Sequence, residues 1–276
     1  MRKAIVRILW ALLIGSILVT ALAFTAIWFG WIGYMPPLED LQNPISRYAT
    51  QVYTADGKVM GTWNLNRENR ICVPYSNLSP YLVKALVATE DARFYEHSGI
   101  DFYALGRAIV KRGILGQENA GGGSTITQQL AKQLYSDVAH SSLERLLQKP
   151  IVIAVKLERN YTKEELIALY LNYFDFLHNS VGIKTASNTY FNKEPNELSV
   201  VEAATLIGLC KNPSLFNPVR YPERCLNRRN VVLSQMQKAG YLSTAEYNQL
   251  CDEKLVLDFH RVDHKDGIAT YFREFL

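Results

Sequence analysis

The chain has 276 residues, 48% of them apolar, and a formal charge of +4. That length allows one or two domains, and the apolar share is enough for a real core. A charge so mild gives no basis for nucleic-acid binding, so no nucleic-acid partner is expected. Cys72, Cys210, Cys225 and Cys251 form no Cys-x-x-Cys pair. Cys210 lies in an apolar helical stretch and reads as a buried thiol, while spacing leaves a disulfide open.

Arg2, Lys3 and Arg7 precede an uncharged run from Ile8 to Met35. The run exceeds the ~20 residues that cross a hydrocarbon core. Trp28, Trp31 and Tyr34 gather at its far end, as an interfacial belt would. Ala21-Leu22-Ala23 resembles a signal-peptide cleavage site, but the apolar run continues well past it. The expectation is therefore an uncleaved membrane anchor over residues 1–35, with the basic tip in the cytoplasm and the rest outside. Residues 36–78 read as a linker. Pro36-Pro37 marks the exit, and Tyr48 to Tyr53 and Lys58 to Leu65 pair as a small β-hairpin about Asp56-Gly57.

Ser79-Pro80 opens a helix, and Glu90 and Asp91 arrive at the end of its apolar run. If helical geometry persists, Phe94 and His97 stand at i+4 and i+7 from Glu90, on its face. A carboxylate half shielded by an aromatic ring suits a general base. The plain alternative is a helix end with ordinary surface acids. Phe102 to Ile114 is an amphipathic helix carrying Arg107, Lys111 and Arg112. Glycines 121 to 123 then suit a mobile loop, and Ser124 caps a helix to about Tyr135. Amides at that helix start could hold an anion, with Gln128, Gln129 and Lys132 as further donors over one turn. Leu143 to Arg159 is the next helix, and Thr162-x-x-Glu165 is a capping box opening another through Asn172. Phe174 to Asn179 is an aromatic loop in which His178 reads as a hydrogen-bonded loop residue. Glu202 reads as a residue that holds helices together. Arg228 to Lys238 and Ser243 to Leu250 are the last helices, and no strand signal follows Leu65.

Two motifs stand out: Glu90-Asp91-x-x-Phe94-x-x-His97-x-Gly99, and Gly122-x-Ser124-Thr125-Ile126-x-Gln128-Gln129-x-x-Lys132. Together they resemble the glycosyltransferase module of peptidoglycan synthases, found in class A penicillin-binding proteins and monofunctional transglycosylases. The resemblance runs from about Tyr48 to the C-terminus, through Tyr190-Phe191-Asn192-Lys193 and Leu198-x-x-x-Glu202-Ala203-Ala204. It implies a mainly α, lysozyme-like glycosyltransferase domain over residues 79–256. Residues 257–276 would begin a C-terminal transpeptidase region whose serine motifs are absent, so the chain looks like a fragment or truncated form.

The resemblance also implies the chemistry. The substrates would be lipid II and the growing undecaprenyl-linked glycan, in contact with the membrane and with other cell-wall synthesis proteins. Glu90 would be the catalytic base. Substrate binding would fall to Asp91, Phe94, His97, Arg107, Ser124, Thr125, Gln128, Gln129, Lys132, Arg145 and Lys149. No cofactor is required, and a divalent cation (Mg or Mn) would have no protein-only cage. Inversion at the anomeric carbon is the outcome of a single displacement with a general base.

One departure stands against this. The family's third motif puts a glutamate in the helix that Leu157-Glu158-Arg159 closes. Counting back seven from Leu157 gives Pro150, and counting on from Gln148-Lys149 gives Val152. Neither is acidic, and the two-residue disagreement suggests a two-residue deletion. Two rival readings follow: an inactive scaffold that binds lipid II, and a lysozyme-like glycan hydrolase.

Overall fold

The computed structural model describes residues 2–29, 50–57, 59–63, 70–108, 111, 123–135 and 152–261. Helix α1 runs over Arg2–Trp28, and its large apolar side chains, such as Ile8, Leu12 and Leu18, stand exposed. Among the described residues no helix is long and apolar enough to cross a membrane. Trp31, Tyr34 and most of the linker lie outside the described residues. Strands β1 (Thr50–Tyr53) and β2 (Val59–Trp63) pair antiparallel, Thr50 opposite Trp63, with a register shift between Val52 and Tyr53.

The body is mainly helical. In chain order it comprises α2 (Pro80–Glu90), α3 (Phe102–Ala108), α4 (Ile126–Tyr135), α5 (Ala154–Asn160) and α6 (Lys163–Tyr173). After these come α7 (Ile183–Phe191), α8 (Val200–Leu209), α9 (Pro222–Lys238) and α10 (Thr244–Asp252). Local chemistry sets the starts. The Ser79 hydroxyl accepts from Tyr81 N with Pro80 at the first helical position. Thr162 with Glu165, Ser199 with Glu202 and Ser243 with Glu246 form capping boxes on α6, α8 and α10. Glu202 also takes Lys193 Nζ at 2.7 Å, so it does hold two segments together.

Two packing groups build the core. In the first, α2, α8 and α9 pack on one another through Leu82, Leu86, Leu206, Ile207, Val232 and Leu233, all fully buried. Each such side chain contributes roughly 1.5–3 kcal/mol of burial. In the second, α4 packs on α5 and α6 through Ile126, Leu130, Leu157 and Leu166. Arg229, also fully buried, donates to the carbonyls of Glu253 at 2.7 Å and Cys251 at 3.0 Å, tying α9 to the end of α10.

Residues on either side of 79–256 also make contacts with the body. Upstream, Asn172 pairs with the Val73 backbone in both directions, at 3.2 and 2.9 Å. Downstream, Asp258 N and His260 N donate to Tyr190 O and Thr189 O, and Leu257 and Phe259 pack on the core. His178 sits in the aromatic loop with its Nε2 2.9 Å from Asn217 Nδ2, the loop role expected of it. All four cysteines are free, and Cys210 is buried, which pushes its thiol well above the ordinary value.

Candidate active site

Helix α2 stops at Glu90 because Asp91 leaves helical geometry, with φ −158° and ψ 76°. The i+4 and i+7 spacing expected for Phe94 and His97 therefore does not hold, and a short 3-10 turn carries Phe94 to Glu96 instead. The Asp91 carboxylate turns inward. Both its oxygens lie 3.1 Å from His97 Nε2, and one accepts the Ile126 amide at 3.1 Å. Ile126 is the first residue of α4, so Asp91 is itself the anion at that helix start.

The other capping groups of α4 are also taken. Thr125 N donates to Gln128 Oε1 at 3.0 Å, and Gln128 N donates to Thr125 Oγ1 at 3.2 Å. This reciprocal pair makes Thr125 the N-cap rather than Ser124. Thr125 Oγ1 donates in turn to Gly99 O at 2.7 Å. Gly99 has φ +92°, and a Cβ there would meet the Ala154 backbone at 3.0 Å. Only glycine lets the first motif close this tightly on α5.

Several residues expected to touch substrate also make contacts within the fold, and Asp91 and Thr125 line the cavity beside Glu90 as well. Phe94 is fully buried, with its ring beneath Lys163 Nζ at 4.2 Å. His97 and Asp91 hold each other, and Thr125 and Gln128 hold the start of α4. Lys163 further binds His97 O at 2.7 Å and Glu158 at 2.8 Å. Glu158 also accepts from Thr127 Oγ1 at 2.6 Å. Arg145 and Lys149 lie outside the described residues, as does the third-motif stretch before Val152.

Glu90 is the point where the two packing groups meet. Gln129 of α4 donates its Nε2 to Glu90 Oε2 at 2.9 Å, so it contacts the expected base. Tyr170 of α6 donates to Gln129 Oε1 at 3.0 Å. From α9, Arg228 brings a guanidinium nitrogen to 3.7 Å from Glu90 Oε1, with the two side chains only 14% and 12% exposed. Gly208 of α8 makes room for that arginine, since a Cβ there would lie 3.2 Å from Arg228 Cγ. Sequence reasoning missed Tyr170 and Arg228. A tyrosine in an apolar helix and a basic residue in a polar one carry no signal of their own.

Glu90 opens on a small cavity lined also by Asp91, Arg93, Asp101, Tyr103, Arg107, Ser124 and Thr125. Arg107 is exposed on α3, and Lys132 is exposed on α4, three residues beyond Gln129. Arg93 is committed to Glu96 at 2.7 Å and Asp101 at 3.4 Å, which raises its pKa, the Glu96 bond first. The described acids do not fit a divalent cation. Asp91 is spent on His97 and Ile126, and Asp101 Oδ1 is spent on Arg93 and the Ala104 amide. Among the described residues no three His, Cys, Asp or Glu side chains cluster to hold one. One carboxylate facing a cavity with a cationic wall can take a proton from a nucleophile and stabilise an anionic leaving group.

A family model described as Transglycosylase matches residues 56–237. Penicillin-binding protein 1A of Haemophilus influenzae is 37% identical over 234 residues, 84% of this chain and 26% of that protein. Penicillin-binding protein 1F of Bacillus subtilis is 42% identical over 183 residues, 66% of this chain and 25% of that protein. The crystal structure of the Haemophilus influenzae penicillin-binding protein 1A aligns with a TM-score of 0.44 and 27% identity, covering 79% of this chain and 23% of that one. The chain spans about a quarter of the length of the curated relatives it matches.

Proposed function

Since the chain belongs to the transglycosylase family, we propose that it polymerises peptidoglycan glycan strands from lipid II on the outer face of the cytoplasmic membrane. In this reading Glu90 takes the proton of the acceptor's 4-hydroxyl as that oxygen attacks the donor's anomeric carbon. The bond to undecaprenyl pyrophosphate breaks on the opposite face, and the leaving group departs with the electron pair, so configuration inverts. Arg107, Ser124 and Lys132 steady the pyrophosphate by preorganised charge and hydrogen bonding. The observation that carries this is the cavity itself, which Glu90, Arg107 and Ser124 line together.

A specific observation also favours a second reading, a lipid II-binding scaffold that forms little polymer. Apart from Glu90, the described acids near the cavity are engaged elsewhere, and Glu158 is held by Thr127 and Lys163. Nothing acidic stands at Pro150 or Val152. One experiment separates the readings: detergent-solubilised protein is given lipid II, and both bound substrate and polymer are measured, with Glu90→Gln alongside. Polymer from the parent and none from Glu90→Gln, at equal binding, is the expected result. General-base loss costs about 10²–10⁴-fold. Binding without polymer from either protein supports the scaffold, and polymerisation by Glu90→Gln at the parental rate removes Glu90 from the mechanism.

A further inference from the structure

An ionised carboxylate can only accept hydrogen bonds. The Gln129 atom 2.9 Å from Glu90 Oε2 is therefore the amide nitrogen, as the geometry has it. The amide oxygen then faces the other way, where Tyr170 Oη lies 3.0 Å away and must be the donor. Tyr170 is fully buried. Burial, with Cys210 and Glu90 nearby, pushes its phenol well above the ordinary value, so the hydroxyl stays protonated. Arg228 at 3.7 Å stands beside Glu90 Oε1 but outside hydrogen-bond reach, so the Gln129 bond is what fixes the rotation of the carboxylate.

We infer that Tyr170 is a positioning residue for the base, acting through Gln129: its hydroxyl anchors the far side of the amide whose nitrogen meets Glu90. Without the hydroxyl the amide oxygen loses its partner, and the Glu90 contact alone is left to hold the Gln129 side chain. Glu90 then swings away from the line of proton transfer. Misplacement of a reacting group by about 1 Å is costly in rate even when binding is intact. The inference rests on Glu90 being the base, but its structural half can be tested without turnover.

Tyr170→Phe in the full chain keeps the buried ring and removes only the hydroxyl. With lipid II as substrate, kcat falls about tenfold while KM holds, the size expected for one lost hydrogen bond. In a Gln129→Ala background the same change alters kcat less than about twofold, because no amide remains to be oriented. Independently of turnover, protein labelled with ¹⁵N-glutamine shows the Gln129 side-chain amide as the resonance lost in Gln129→Ala. That resonance moves in Tyr170→Phe, and it moves in Glu90→Ala, which reads the same contact from its other end. A parent that forms no polymer defeats the proposed activity and leaves the amide resonance to decide the positioning. A Gln129 resonance unmoved by either substitution, an equal kcat loss in both backgrounds, or a rise in KM alone overturns it.

Discussion

Glu90 and Asp91 are neighbouring carboxylates with different surroundings, and substitution should separate them. Glu90 faces the cavity as the proposed base, whereas Asp91 holds His97 and the start of α4. Glu90→Gln keeps the shape and removes the proton acceptor, so it should cost rate and leave the melting temperature in place. Asp91→Ala strips partners from the Ile126 amide and from His97. Each buried group so orphaned costs about 1–3 kcal/mol, which thermal denaturation should show as a clear drop in Tm. An Asp91→Ala protein as stable as the parent would mean that Asp91 is not the clamp between α2 and α4. The sequence motif brought both acids forward but not their division of labour. That division depends on one backbone turn at Asp91, which throws its side chain inward. The same turn defeated the helical spacing used for Phe94 and His97. The order of Ser124 and Thr125 was more legible than it first looks. Both are capping residues, but only Thr125 has a glutamine three positions on, and Gln128 is what completes the box.

At the scale of elements, helix starts followed directly from the residues wherever a side chain closes on its own backbone, as at Ser79 and Thr162. The difficulty is α5. The described chain enters it through a wider, π-type turn at 152–153, and neither Pro150 nor Val152, the two positions where an acid is expected, is acidic. Each residue turns a helix by about 100°, so a loss of two would rotate what precedes the gap by roughly 200°. A proline, as at position 150, has no backbone N–H to give to a helix ladder. Two repairs distinguish a lost register from a lost side chain. Inserting Glu-Trp between Ile151 and Val152 restores the two residues and the acid, whereas Pro150→Glu restores the acid alone. On the deletion reading, polymer yield from lipid II rises at least about tenfold with the insertion and not with Pro150→Glu, as for recovery of one catalytic acid. The reverse result places the glutamate at Pro150 with the register intact, and a parent already as active as both makes that acid dispensable.

For the whole molecule, the contacts that make the site join residues far apart in sequence: Glu90 to Gln129 across 39 positions and Gln129 to Tyr170 across 41. Periodicity within a helix says nothing about which helices meet, so Tyr170 and Arg228 emerged only when α2, α4, α6 and α9 were brought together. The N-terminal region poses the reverse problem, since its chemistry is plain in sequence. Helix α1 has 27 residues, roughly 40 Å at about 1.5 Å each. Yet among the described residues no helix is long and apolar enough to cross a membrane, so the anchor expected from the sequence of α1 is put to the test by deletion. Its large apolar side chains stand exposed. An enzyme tethered in the plane of a lipid-linked substrate meets it in two dimensions. Deletion of residues 1–35 should therefore release the protein from membranes on fractionation. The same deletion should raise KM for long-chain lipid II in vesicles while leaving a short-chain soluble analogue almost unaffected, because only the long chain confines substrate to the bilayer. Equal losses on both substrates would assign residues 1–35 to the fold of the body. N-terminal sequencing of the mature protein that begins near Phe24 would show the segment to be a cleaved signal instead, and a protein so processed would have to reach its membrane substrate by the surface of the body alone.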